Sequence, residues 1–196
     1  MKKLLATLLL RVTGWRRGGG PPPLKRCVLI AAPHTSNWDA VYLLAFGAVY
    51  DLEISWLMKQ EHFRWPISLL YKALGGIPVD RSARRDLVAH LAGQFGERER
   101  LVVVVPPEGT RRRAEYWKSG FFHIALQADV PIVCSYLDYT RKIGGFGPVL
   151  QPTDGVVAVM DACRAFYADK EGRFPDQFGP VQLFDEAEEA LRAAAP

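Results

Sequence analysis

The stretch CVLIAAPHTSNWDAVYLLAFGAVY, residues 27–50, decides the architecture. Residues 27–32 form a continuous apolar run, without the alternation of a strand that has one wet face. Such a run fits a strand covered on both sides. From Asp39 to Tyr50 the chain is again mostly apolar, and long enough for a buried helix. A polar turn containing His34, Thr35, Ser36 and Asn37 joins the two. Strand, polar turn and helix in that order are the building unit of a layered α/β domain.

The unit recurs outward from there. EISWLMK (53–59) reads as a strand. WPISLLYKALGG (65–76) reads as a helix, with proline near its start and glycine at its end. IPV (77–79) is a short extended piece, and residues 84–95 keep helical spacing through Leu87, Val88, Leu91 and Phe95. LVVVV (101–105) is the plainest buried strand, followed by a helix over 120–128 with Ser119 as its N-cap. VPIVCSYLDY (130–139) is a further strand. Thr153 or Asp154 caps an amphipathic helix marked by Val156, Val159, Met160 and Cys163, and DEAEEALRAAA (185–195) closes the chain as a short helix. The expectation is one α/β domain over 24–196, its sheet mostly parallel or mixed and flanked by helices. Ahead of it, residues 1–23 comprise a short amphipathic helix and the linker GGGPPP (18–23).

Charge is unevenly spread. Residues 1–38 hold Lys2, Lys3, Arg11, Arg16, Arg17, Lys25 and Arg26 and no acid, whereas the whole 196-residue chain is only +4. A basic leading segment favours an anionic partner, a membrane surface or a nucleic acid. Base stacking would want aromatics interleaved with the cations, and only Trp15 lies among them, which speaks against nucleic acid. The apolar run Leu4–Leu10 is far short of a bilayer span and no small-x-small cleavage site follows it. It fits a retained helix that lies in a membrane interface or packs on the domain. Peripheral attachment at the cytoplasmic face of a membrane follows from the first alternative. Cys27, Cys134 and Cys163 have neither metal-ligand nor redox spacing and read as small buried hydrophobes.

In open α/β sheets ligands gather beyond the carboxyl ends of strands, so the polar segments there carry the chemistry. After the first strand, His34 precedes a helix start and Asp39 falls in its first turn. That spacing lets the carboxylate reach back to one ring nitrogen and raise the basicity of the other. Ser36, close by, is either a turn cap or a nucleophile, and the cap reading is the simpler one. After the valine strand, PPEGTRRR (106–113) sets Glu108, Gly109, Thr110 and Arg111 together, a carboxylate and a guanidinium around a glycine. Arg111 suits a phosphate, and Arg112 and Arg113 read as solvated. Arg81 is a second candidate anion clamp, its plain alternative being a salt bridge with Asp80 or Glu108. Lys59, Lys118 and His123 are lesser candidates.

PHTSNWD, GGIPVDR, PPEGTR and VPIV stand in the order and at about the spacing of four sequence blocks of the glycerolipid acyltransferases. The chain resembles the lysophosphatidate (1-acylglycerol-3-phosphate) acyltransferase family from about Cys27 to Tyr139. The resemblance implies that His34 is a general base oriented by Asp39. It implies an acceptor site made by Gly76, Ile77, Arg81, Glu108, Gly109, Thr110 and Arg111, and an acyl-chain wall at Val130, Pro131 and Ile132. Implied substrates are a lysophospholipid, foremost 1-acylglycerol 3-phosphate, and an acyl thioester on coenzyme A or acyl-carrier protein, with no cofactor and no metal. Pro78 stands where many members have an aromatic residue, which leaves the acceptor's shape open. The rival readings are acyl transfer to another acceptor, such as a lyso-aminolipid or glycerol 3-phosphate, and a lipid-binding protein without turnover. The number of subunits is not legible.

Overall fold

The computed structural model describes residues 1–79, 84–186 and 188. Along the chain come α1 (Lys2–Val12), β1 (Arg16–Arg17), β2 (Arg26–Ala31), α2 (Trp38–Val49), β3 (Ile54–Lys59) and α3 (Ile67–Ala73). There follow β4 (Gly76–Val79), α4 (Arg84–Glu97), β5 (Leu101–Val105), α5 (Gly120–Ala128), β6 (Ile132–Asp138), β7 (Ile143–Leu150) and α6 (Val156–Tyr167). The closing helix expected over 185–195 falls mostly outside the described residues.

One sheet orders the strands β1-β7-β6-β2-β5-β3-β4. Every neighbouring pair is parallel except β6 and β7, so the sheet is mixed. The continuous apolar runs have a direct cause. Val28, Ile30, Leu101 and Val103 face a layer built from α4, α5 and α6, with Leu91, Phe121 and Met160. Cys27, Leu29, Val102 and Val104 face the other way, beside Leu43 and Leu44 of α2. Both faces are covered, so both must be apolar. The three cysteines are free and buried.

Two segments differ from the sequence expectation. β7 has no counterpart among the expected elements, since Gly144, Gly145, Gly147 and Pro148 mask its strand pattern. The glycines are there for close approach. A Cβ on Gly144 would meet the Phe46 ring at 2.2 Å, and one on Gly147 would meet Phe166 at 2.2 Å. The GGG of the expected linker is likewise pinned to the sheet: the Gly18 amide donates to Gly144 O at 2.7 Å, and Gly19 O accepts from the Phe146 amide at 3.1 Å. Ser119 precedes α5 as expected, but its side chain makes no capping bond.

α1 packs on the domain through Ala6 and Leu10, which join Trp15, Tyr42, Phe46 and Leu137 in a second core. Leu4, Leu5, Leu8 and Val12 remain exposed. One stripe of the helix therefore serves the fold and leaves a leucine-rich face outward. Among the described residues no helix is long and apolar enough to cross a membrane.

Candidate active site

The register places the chemically loaded loops side by side. Ile30 pairs with Val105, and Ala31 with Ser135, so the segments after β2, β5 and β6 leave the same edge of the sheet. A cavity of about 2110 Å³ opens there. His34, Asn37, Thr110, Arg111 and Lys118 line it, and Leu29, Leu44, Ile54 and Trp56 give it an apolar interior.

His34 Nδ1 lies 3.1 Å from Asp39 Oδ2. Asp39 sits in the first turn of α2, where the helix dipole favours a carboxylate. It is 5% exposed and well supplied with donors. Oδ2 also accepts the amides of Thr35 and Ser36, each at 2.9 Å, and Oδ1 accepts the Tyr139 hydroxyl at 2.6 Å. An ionised carboxylate only accepts, so Nδ1 carries the imidazole proton and Nε2 keeps its lone pair. The His34 side chain remains 19% exposed at the cavity. The pair can thus serve as a base with a fixed tautomer. The Ser36 hydroxyl accepts from the Trp38 amide at 3.2 Å, the bond of a turn-former.

Glu108 is 4% exposed, and both its oxygens accept from the His34 amide, at 3.1 and 3.0 Å. It braces the loop that carries His34 and does not stand at the cavity surface. Burial pushes its carboxyl up to about 8, the His34 amide opposes the rise and the Asp39 charge adds to it. A carboxyl raised in the native protein holds a proton that the unfolded chain gives up. Between about 4.5 and 8, stability therefore falls as pH rises, by about 1.4 kcal/mol for each unit of displacement. Glu108→Gln, an isostere of the neutral acid, is expected to flatten that slope. Melting temperatures of both proteins across this pH range check it; parallel curves would mean that Glu108 is already ionised in the fold.

Gly109 has φ +67°, and a Cβ there would lie 2.8 Å from Lys118 Cε. The turn needs glycine on both counts, because the lysine stem runs over it. Lys118 thereby reaches the rim beside Thr110 and Arg111, a stronger placement than its sequence position suggested. Arg113 is tied to the carbonyls of Asp176 and Phe178 at 3.3 and 2.8 Å instead of being free in solvent.

The other expected residues are placed as follows. Gly76 and Ile77 begin β4, level with Trp56 and Leu57, and are buried; the strand reaches the cavity only at Val79. Arg81 lies outside the described residues. Val130, Pro131 and Ile132 are not brought to the cavity. Ile132 pairs with Val28, which puts them at the amino end of β6, away from the exit that carries His34. The cavity's apolar lining comes instead from α2 and β3, with Val104 of β5 and Phe121 and Ile124 of α5. Tyr139 was not singled out by the sequence: its partner is 100 residues away. Among the described residues no three His, Cys, Asp or Glu side chains gather as a metal site. The amides of His34, Thr35, Ser36, Trp38, Asp39 and Gly109 are all engaged within the protein, which narrows the choice of oxyanion donors.

Three comparisons bear on this arrangement. A family model described as Acyltransferase matches residues 18–137. No curated protein matches the chain in sequence. The fold is similar to the crystal structure of the 1-acyl-sn-glycerophosphate (LPA) acyltransferase PlsC from Thermotoga maritima, with a TM-score of 0.57 and 14% identity over 86% of this chain and 74% of that one.

Proposed function

The chain belongs to the acyltransferase family, and from that premise we propose that it moves an acyl group from a thioester to the free hydroxyl of a lysophospholipid, foremost 1-acylglycerol 3-phosphate. The observation that carries this reading is the His34–Asp39 pair at a cavity that has cations on its rim and apolar residues within.

His34 Nε2 takes the proton of the acceptor hydroxyl as its oxygen attacks the thioester carbon. The carbon–oxygen bond forms, and the carbonyl oxygen becomes a tetrahedral oxyanion. Collapse breaks the carbon–sulfur bond, and the thiolate takes the proton back from the imidazolium. A thiol of pKa about 8.5 leaves readily, so no acyl-enzyme is required. The base supplies about 10²–10⁴-fold, and alignment of two substrates as much as about 7–11 kcal/mol. Oxyanion donors are sought among the amides of Glu108, Thr110 and Arg111, for which the fold shows no partner among the described residues.

Arg111 and Lys118 suit the acceptor phosphate, with Arg81 as a third cation on the grounds of the family resemblance. The exposed leucines of α1, together with Lys2, Arg11, Arg16 and Arg17, suit an anionic lipid surface that holds the acceptor.

One experiment tests the whole reading. Purified protein receives 1-acylglycerol 3-phosphate or phosphate-free 1-acylglycerol in anionic or neutral vesicles, with acyl-CoA or acyl-carrier protein as donor. Transfer to the phosphate acceptor is expected, with the protein co-sedimenting with anionic vesicles. Arg111→Ala should raise KM for that acceptor about 10–100-fold, the range for losing a hydrogen bond to a charged group, and change kcat far less. An unchanged KM removes Arg111 from the phosphate site. Absence of transfer with every pairing defeats the function, and equal sedimentation with neutral vesicles defeats the charge argument.

A further inference from the structure

We propose that Tyr139 is a positioning residue of the dyad, its hydroxyl fixing the plane of the Asp39 carboxylate so that Oδ2 faces His34 Nδ1. The proposal deepens the reading of His34 as a base and rests on it.

Three donors crowd onto Oδ2: the Thr35 amide, the Ser36 amide and His34 Nδ1–H. The one bond recorded for Oδ1 comes from Tyr139, at 2.6 Å, the shortest bond the carboxylate makes. Donors on Oδ2 alone leave the carboxylate room to swing, because its terminal torsion is soft and hydrogen bonds tolerate a spread of angles. A donor on the opposite oxygen closes that freedom.

Tyr139 is itself held on several sides. Its ring meets Trp15 edge to face, with centroids 4.9 Å apart, and Tyr42 at 6.0 Å. Its amide donates to Glu171 O at 2.9 Å. Trp15 lies just past the end of α1, after Thr13 and Gly14, and is 7% exposed, so the seat of the N-terminal helix also seats this phenol. Burial first, and then the bond to Asp39, hold the hydroxyl well above the ordinary phenol range, so that it stays a donor. The nearby charged or titratable groups are His34, Glu108, Tyr42 and Arg173, and none of them offers a donor recorded on Oδ1.

Tyr139→Phe removes the hydroxyl and keeps the ring. The expected result is a kcat lowered about 10–100-fold, with KM for acceptor and donor within twofold and a melting curve that stays cooperative, its midpoint lowered modestly by the unpaired Oδ1. In ¹H–¹⁵N spectra of histidine-labelled protein, the His34 Nδ1–H resonance should move relative to wild type. In an Asp39→Asn background the same change should have little further effect on kcat, since the two groups act as one unit. A kcat within twofold of wild type overturns the proposal. So does a raised KM at constant kcat, which would put the hydroxyl on substrate, and so does an additive loss in the double variant. If wild-type protein transfers no acyl group, the function fails, and the resonance alone then decides the geometry: an unmoved signal overturns the positioning role.

Discussion

His34→Ala is expected to lose about 10²–10⁴-fold in kcat while folding as the wild type does. The two halves of this expectation have separate causes. Among the described residues the imidazole makes one hydrogen bond, to Asp39, so its removal costs the fold roughly 1 kcal/mol. The turn is held by other groups: the His34 amide is gripped by Glu108, and the amides of Thr35 and Ser36 by Asp39, all of which survive the substitution. Catalysis, by contrast, loses the group that Asp39 orients, and the polar side chains next to it in the turn are committed elsewhere. Ser36 Oγ is occupied by the Trp38 amide, and the Glu108 carboxyl is committed to the His34 amide. Steady-state rates with thioester donor and lysophospholipid acceptor, beside a melting curve, check the expectation. Turnover within tenfold of wild type in a folded variant would remove His34 as the base.

The contrast between what the sequence made legible and what it did not follows from distance along the chain. His34 and Asp39 could be paired on paper because five positions across a helix start form a local geometry. The residues of PPEGTR could be gathered at a strand exit for the same reason. The role of Glu108 could not be found that way. Its type and place looked like part of an acceptor site, but its bond is to the amide of a residue 74 positions earlier. Tyr139 gave no signal at all, lying at the end of an apolar strand whose pattern reports only burial.

The block containing Val130, Pro131 and Ile132 shows a different limit. A sequence block marks a strand without saying which of its ends meets the site. In a parallel sheet the productive end is the carboxyl end, and on β6 that is the Ser135–Tyr139 side. β7 was hidden for a packing reason: glycine lowers strand propensity, yet here it admits the rings of Phe46 and Phe166, residues that no window around position 145 contains.

Asp39→Asn is expected to lower kcat about 10³–10⁴-fold and leave the protein folded. The amide can place its oxygen where Oδ2 stands and keep the bonds from Thr35, Ser36 and His34 Nδ1. Its NH₂ group then faces Tyr139, whose hydroxyl can rotate from donor to acceptor. Geometry is preserved, and the charge is lost. Once the imidazole has taken the acceptor's proton, no anion stands opposite the imidazolium, so the transition state loses stabilisation that the ground state never needed. Asp39→Ala is the opposite case. It strands the amides of Thr35 and Ser36 and the Tyr139 hydroxyl in a buried turn, at about 1–3 kcal/mol for each group that water cannot reach. Melting temperature should therefore fall clearly for alanine and little for asparagine, while activity collapses in both. If the asparagine variant turns over within tenfold of wild type, the carboxylate is a structural anchor of the turn and the base works without it. If instead the alanine variant melts with the wild type, the turn is held by Glu108 alone, and the assignment of Asp39 as its organiser fails.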